Sequence, residues 1–470
     1  MMATNANPCM VAHRGGSRAA PESTMAAFEA ALAANAGVIE FDIGFDSANK
    51  PVIIHDSTLG RTTQTSGNVA EYGVEQLRVL DAGSSYAPYF AKQGVPSLAE
   101  VLNDFGGKIT MQIEIKGAAN GGTTADAENI VADMIHQYGL EAYTIISNQL
   151  GYLGGHAWAA YGIPGMQITG TIAADGTVRG ISAASWFSSG YRYLALKIGS
   201  ANFDAGAAVW AELGASVEAW TAMCRYDRDL ALACPDVSSI CCSDPAYIMG
   251  GYDLPAGVIH TFDSPSLPVG VIPFYPSEGI RAENMQPADR GLVSGIGGVG
   301  GGAIGWPLYG AIAFTECLVL GRMRAGVDPT YGWGVGALSA TMKYEAAAAD
   351  TTRWGGIGWY IDDRGHCTGC GADGSTGYFG ALRANGRVEL YEVAPDGTET
   401  QLAHDYSGAA LSVGSSYPLV LTMNTWNVVF TASGKTAATG VNIDYRGAGM
   451  VAALHRNRMA CAFSSVVRTS

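Results

Sequence analysis

An alternation in the first half of the chain constrains the fold more than any other feature. Eight short apolar runs recur over about 240 residues, with alanine-containing helical patterns between them. The runs are Met10–His13, Val38–Phe45, Lys108–Lys116, Tyr143–Ser147, Gly165–Thr169, Tyr193–Ile198, Ala215–Thr221 and Val237–Ser243. Thr24–Asn35, Ala125–Tyr138 and Arg228–Ala233 carry the helical spacing. Eight strand–helix units predict an α/β TIM barrel, in which chemistry collects at the C-terminal strand ends. His13, Glu40, Asp42, Glu114, Lys197 and Trp220 fall at those ends. The stretch Asp46–Ser97, which contains His55, is too long for one βα loop.

The second half changes character. Residues 251–310 are rich in proline and glycine with few periodic runs, and read as a linker or irregular first strands. From Ala311 onward short alternating strands dominate. Trp354–Asp362, Tyr378–Arg383, Arg387–Val393 and Asn427–Phe430 are examples, punctuated by turns such as Pro395-Asp396-Gly397. That pattern predicts an all-β sandwich. A chain of 470 residues exceeds one ordinary domain. The expected division is a barrel over 1–250, the connecting stretch 251–310 and the sandwich over 311–470.

Composition narrows the partners. The net charge of −15 argues against a broad surface for nucleic acid or anionic membrane, though a local basic pocket for one phosphate fits. No run approaches 18 uninterrupted apolar residues, so no membrane span is expected. The first strand begins near Cys9 and leaves no room for a basic and then apolar leader, so no signal peptide is expected. The nine cysteines are odd in number, and the adjacent Cys241 and Cys242 point to opposite faces of a strand. They are expected to be reduced or buried.

The residues at the strand ends form an ordered set. Val11-Ala12-His13-Arg14-Gly15-Gly16 precedes Pro21-Glu22-Ser23-Thr24. Glu40-Phe41-Asp42 follows, then Pro51-Val52 leading to His55-Asp56, then Val95-Pro96-Ser97-Leu98 and Glu114-Ile115-Lys116. Two histidines, three acids, an arginine and a lysine are the equipment for cutting a phosphodiester with metal help. Glu40 and Asp42 stand two apart and so face one side of their strand. With Glu114 they make an all-oxygen donor set that suits Mg²⁺ or Ca²⁺ and, lacking Cys or His, argues against zinc.

The order and wording of these pieces resemble the glycerophosphodiester phosphodiesterase family. Val217-Glu218-Ala219-Trp220-Thr221 and Ser243-Asp244-Pro245 resemble two later family strings, and the long stretch Asp46–Ser97 resembles the family's insertion near the barrel mouth. The resemblance covers about residues 9–250. It implies His13 as general base and His55 as general acid, a divalent cation on Glu40, Asp42 and Glu114, and a glycerophosphodiester substrate. Arg14 is expected on the phosphate. Lys116 balances the carboxylates or touches the phosphate, and Trp220 walls the substrate or fills the barrel. Ser23 replaces the family's usual Asn, an expected loss of one loop hydrogen bond. The sequence leaves open whether water or a substrate hydroxyl attacks first. Gly377–Gly380, Gly386–Leu390 and Ala462–Val466 resemble a concanavalin-like jelly roll.

The appended sandwich favours a polymeric substrate such as a glycerol-phosphate teichoic acid, with a cell-surface glycan as the sandwich's partner. A phage tail, acting outside a cell and built as a homo-oligomer, would suit that arrangement; a cytoplasmic place is the alternative. Two other functions compete: a phospholipase D-like lipid diesterase, and a non-catalytic glycan-binding adhesin on a barrel scaffold. The plainer reading of Glu40, Asp42 and Glu114 is a buried salt-bridge network. The histidines at 136, 156, 260, 366, 404 and 455 read as structural or surface groups. Cys367-Thr368-Gly369-Cys370 lacks a second pair for zinc. Gly295-Ile296-Gly297-Gly298-Val299-Gly300 lacks the following helix of a dinucleotide site and runs into Trp306-Pro307, so it reads as a turned linker.

Overall fold

The structure is a computed structural model. It describes residues 8–249 except 18, 85, 87–89, 118, 119, 149–152, 154, 223 and 224. In the second half it describes 316–327, 329, 330, 333–344, 347, 348, 350–361, 376–440, 450–457, 459 and 461–469, with four short strands between 259 and 294. The GxGxxG-like string at 295–300 and the CxxC at 367–370 lie outside the described residues. The chain divides into two compact units, Met1–Gly250 and Gly251–Ser470.

In the first unit nine strands form one sheet: β1 (Cys9–Ala12), β2 (Val38–Phe45), β3 (Pro51–Ile53), β4 (Thr110–Ile115), β5 (Thr144–Asn148), β6 (Gly165–Thr169), β7 (Tyr191–Lys197), β8 (Ser216–Ala222) and β9 (Val237–Cys242). Eight of them are parallel in the order β1-β9-β8-β7-β6-β5-β4-β2, and β1 also pairs with β2, which closes the barrel. Closure leaves the parallel strands without a free edge. Helices lie between successive strands, as the sequence pattern predicts. Met25–Ala33 is capped by Thr24, whose side chain accepts from the Ala27 N–H, and Thr124–Tyr138 opens with a capping box at Thr123 and Asp126. The helix expected at Arg228–Ala233 begins earlier, at Arg225.

β3 is the exception to the parallel rule. It runs antiparallel to β2, with Ile43 opposite Ile53 and Phe45 opposite Pro51. The rest of the insertion folds over a satellite core that includes Val52, Ile54, Leu59, Leu77 and Val95. Asp46 is buried and ties it down: its two carboxylate oxygens accept from the N–H groups of Ala48, Lys50 and Val74, each at 2.8 Å.

The second unit is a pair of antiparallel sheets. One runs in the order Met285–Ala288, Gly291–Ser294, Cys461–Thr469, Gly334–Tyr344, Ser416–Met423, Asn427–Ala432, Lys435–Gly440. The other runs Val271–Phe274, Glu316–Arg324, Val451–Asn457, Trp354–Tyr360, Gly377–Arg383, Val388–Val393, Glu399–Asp405. Residues alternate inward and outward along Gly334–Tyr344, the period expected of a strand with one buried face. Leu338, Met342, Leu421 and Phe430 meet Ile357, Trp359, Leu382 and Leu390 in one core, the arrangement of a β-sandwich. The Trp359 indole N–H donates to the Leu421 carbonyl at 3.3 Å across it. Gly380 has to be small, because a Cβ there would stand 2.1 Å from the Phe430 ring. Four strands of this unit, Ile259–His260, Val271–Phe274, Met285–Ala288 and Gly291–Ser294, come from the stretch read as linker or irregular first strands.

Candidate active site

The C-terminal ends of β1, β2 and β4 converge. β1 runs into a single turn, His13–Gly15, in which Arg14 sits in the left-handed region at φ 51°. A bulky residue avoids that conformation unless its surroundings hold it there. The holding contacts are visible. The Arg14 N–H donates to Glu40 Oε2 at 2.8 Å, and the Ser23 N–H donates to the Arg14 carbonyl at 2.9 Å. Gly15 is required by space: a Cβ would lie 2.6 Å from the Phe28 ring. The His-Arg-Gly string is thus a backbone device that turns two functional side chains into the barrel mouth.

Glu40, Asp42 and Glu114 are all buried, and each offers a carboxylate oxygen within 4.8 Å of the others. The strand register explains this, since Asp42 stands opposite Glu114 and Glu40 lies two residues earlier on the same face. Burial, reinforced by the charges of Asp42 and Glu114, pushes the Glu40 carboxyl well above its usual value. Asp42 Oδ2 is buried with no hydrogen-bond partner; Arg14 Nε stands off at 3.6 Å. Lys116 Nζ, partly exposed, lies 3.2 Å from Asp42 Oδ1 and 3.9 Å from Glu114 Oε1.

His55 follows β3 directly. The Ile54 N–H donates to the Asp42 carbonyl at 3.1 Å, so the insertion delivers His55 beside the acids. Its Nδ1 lies 2.5 Å from Asp56 Oδ1. Burial opposes the ionised Asp56, but hydrogen bonds from His55 and Arg61 prevail and hold it well below the usual carboxylate range. An ionised carboxylate only accepts, so Nδ1 carries the proton and Nε2 is the free edge of the ring. Burial, then the positive charges of Arg14, His55 and Lys116, depress His13 well below the usual histidine value, against the pull of Glu22. His13 is therefore neutral at physiological pH and able to accept a proton.

Two further residues organise the mouth. Arg61 binds Asp56 through Nε and through an η-nitrogen at 3.0 Å, and Glu22 through both η-nitrogens at 2.9 and 2.7 Å. Glu22 in turn receives Arg14 at 3.4 Å. This chain of ion pairs joins the Pro21–Thr24 loop to the His55-Asp56 loop. Glu22 was visible only as part of its motif, and Arg61 carried no signal, because its partner stands 39 residues away. Trp220, at the end of β8, packs against Ile145, Met166, Ile168 and Ala195, and its buried indole N–H has no protein partner. Lys197 is exposed. Of the remaining described histidines, His156 is buried on Glu128 at 2.9 Å, His455 is buried against the Tyr360 hydroxyl at 2.8 Å, and His136 and His404 are exposed.

The donor set fits a divalent cation. Counting Glu22, Glu40, Asp42, Asp56 and Glu114 against Arg14, Arg61 and Lys116, five carboxylates face three fixed cations. The surplus of acids over bases, the raised Glu40 carboxyl and the Asp42 oxygen left without a hydrogen bond are what a hard cation on oxygen ligands would balance.

Residues 13–138 match the Glycerophosphoryl diester phosphodiesterase family. Over 140 residues the chain is 36% identical to a glycerophosphodiester phosphodiesterase of Caldanaerobacter subterraneus, covering 30% of this chain and 57% of that one. Over 131 residues it is 34% identical to glycerophosphodiester phosphodiesterase 1 of Mus musculus, covering 27% and 39%. The chain spans about half the length of curated relatives that it matches. Among solved structures it is similar to a glycerophosphodiester phosphodiesterase from Agrobacterium tumefaciens, at 23% identity and a TM-score of 0.42, over 51% of this chain and 98% of that one. A phosphodiesterase from Oleispira antarctica, solved with sn-glycerol-3-phosphate, is 22% identical with a TM-score of 0.43, over 52% and 95%. The span that holds both histidines, the three clustered acids, Arg14, Arg61 and Lys116 is a glycerophosphoryl diester phosphodiesterase family domain, at residues 13–138.

Proposed function

We propose that this protein hydrolyses glycerophosphodiesters to an alcohol and a glycerol phosphate. The observation that carries the reading is the buried triad of Glu40, Asp42 and Glu114 gathered beside a neutral His13. Glu40, Asp42 and Glu114 would hold one divalent cation, Mg²⁺ or Ca²⁺, which supplies Lewis-acid polarisation of the phosphoryl group when bound. The chain's own residues do the rest. Arg14 and Lys116 offer donors to the phosphate oxygens. His13 takes the proton of an attacking water as the new P–O bond forms. His55, in its imidazolium form with Nδ1–H held by Asp56, gives its Nε2 proton to the leaving alkoxide as the bond to phosphorus breaks and is left neutral.

The preferred substrate under this reading is a polymer of glycerol phosphate such as a teichoic acid, met outside the cell as by a phage tail. The second unit supports it with exposed aromatic surface: Trp426 is 53% exposed and meets Trp333 edge-on, and Tyr406 stacks on His404. Exposed rings of this kind suit sugar faces, and a second attachment point raises the local concentration of a surface substrate.

Glycerol 3-phosphate release from glycerophosphocholine and from glycerol-phosphate teichoic acid, with EDTA, Mg²⁺ or Ca²⁺, tests both levels. Cation-dependent release that disappears in His13→Ala is expected, with the polymer turned over faster. Release that survives EDTA would remove the cation's role, and equal rates on both substrates, unchanged in Trp426→Ala, would remove the polymer.

A further inference from the structure

The barrel has a second mouth. At the N-terminal strand ends, opposite His13, lies a cavity of about 690 Å³, within the range of small-molecule sites. Its polar groups are unbalanced. Glu218 is 2% exposed, and Gln112 Nε2 donates to its Oε1 at 3.2 Å. Gln112 is equally buried, and its Oε1 has no hydrogen-bond partner. A buried amide oxygen without a donor is destabilising, because it has lost its water and gained nothing in return. Asp236 adds a second carboxylate at the rim, and no lysine, arginine or histidine is among the described residues that line the cavity. The rest of the wall mixes hydroxyl residues such as Thr110, Ser216 and Ser239 with an apolar and aromatic face of Ile145, Met166 and the half-buried Tyr193.

We propose that this mouth is a second binding site, which takes a small organic ammonium ion held by the Glu218 carboxylate and Gln112 Oε1. The ammonium N–H groups supply the missing donors, and its charge answers an acid that meets no cation among the described residues lining the cavity. A short carbon chain lies against Ile145 and Met166, with the Tyr193 ring available to the charge. Burial pushes the Glu218 carboxyl up to about 7, so in mild alkali the ligand meets an ionised group. The site is separate from the diester chemistry, because none of His13, Glu40, Asp42, His55 and Glu114 lines the cavity.

The test uses the full chain at pH 8 and constant ionic strength, titrated with ethylammonium chloride in a calorimeter. Saturable binding is expected, at least tenfold weaker in Glu218→Gln, with tetramethylammonium, which has no N–H, binding far less well. Glycerophosphodiester turnover by Glu218→Gln should match the native enzyme. Methyl-labelled methionine in the native protein gives a reading that needs no variant, since the Met166 methyl signal should move as ethylammonium is added. Absence of saturable heat, undiminished binding in Glu218→Gln, or an unmoved Met166 signal would each overturn the proposal and leave water as the occupant.

Discussion

The two mouths of the barrel treat buried acid in opposite ways. At the C-terminal mouth Glu40, Asp42 and Glu114 are crowded together, yet Arg14 and Lys116 stand within 3.6 Å of Asp42 and Arg61 braces the loops around them. At the N-terminal mouth Glu218 has an amide for company and no cation lining its cavity. Acids at the first mouth stay useful because fixed positive charge and a site for a cation offset their mutual repulsion. For Glu218 at the second, desolvation outweighs the hydrogen bond from Gln112, and its pKa rises. A barrel interior accepts carboxylates at either end, but only the loops on the C-terminal side carry the counter-charges that turn them to chemistry.

The largest effect expected from sharpening this contrast is on activity. His13→Ala should lower kcat by about 10²–10⁴-fold, the usual worth of a positioned general base, with little change in Tm. Loss of stability in step with activity would mean that His13 is structural.

Glu218 predicts a pH dependence of the opposite mouth. Its folded pKa lies above the unfolded value of 4.5, so the folded state holds the proton longer. The associated stability is complete below about pH 4.5, falls as pH rises, and is lost above about pH 7, a swing of about 3 kcal/mol. Denaturant melts at pH 5 and 8 on native protein and Glu218→Gln should differ in slope by that amount; parallel profiles would break the comparison.

Arg61→Ala should destabilise by about 2 kcal/mol, less than for a fully buried pair because Arg61 is a quarter exposed. Its kcat should fall about tenfold as His55 loses its orientation, and Arg61→Lys should restore charge without the planar fork and recover only part. A variant with full kcat and unchanged Tm would show that the ion-pair chain is incidental. The smallest effect concerns Ser23, which is buried in the left-handed region at φ 58° with its hydroxyl unpartnered. Ser23→Asn, a residue that tolerates this conformation, should raise stability by about 0.5 kcal/mol, read as a small rise in Tm.

Much of the barrel was legible because its strands are buried on both faces. Val38–Phe45, which is almost wholly buried, reads as a continuous apolar run interrupted only by the acids that matter. The antiparallel β3 was not legible. Pro51-Val52-Ile53 is too short to show direction, and only its pairing with β2 reveals that the insertion folds back across the mouth. The first strands of the sandwich were obscured for a related reason. Pro273 and Pro287 weaken the strand signal in the sequence, and both sit in strands that stand at the end of their sheet's order, where a missing N–H is tolerated.

By itself the sequence determined the alternation of strands and helices, the inward face of Glu40 and Asp42, and the residue types of the proposed phosphodiesterase site. These are local properties, set by period and by the chemistry of neighbouring residues. Only the tertiary structure decided that Arg61 reaches Glu22 and Asp56, that Arg14 is held left-handed by Glu40 and the Ser23 loop, and that Gln112 and Glu218 meet 106 positions apart beneath the acids. Each is a pairing between distant segments. Barrel closure brings such residues together, and no local pattern encodes which charge will find which.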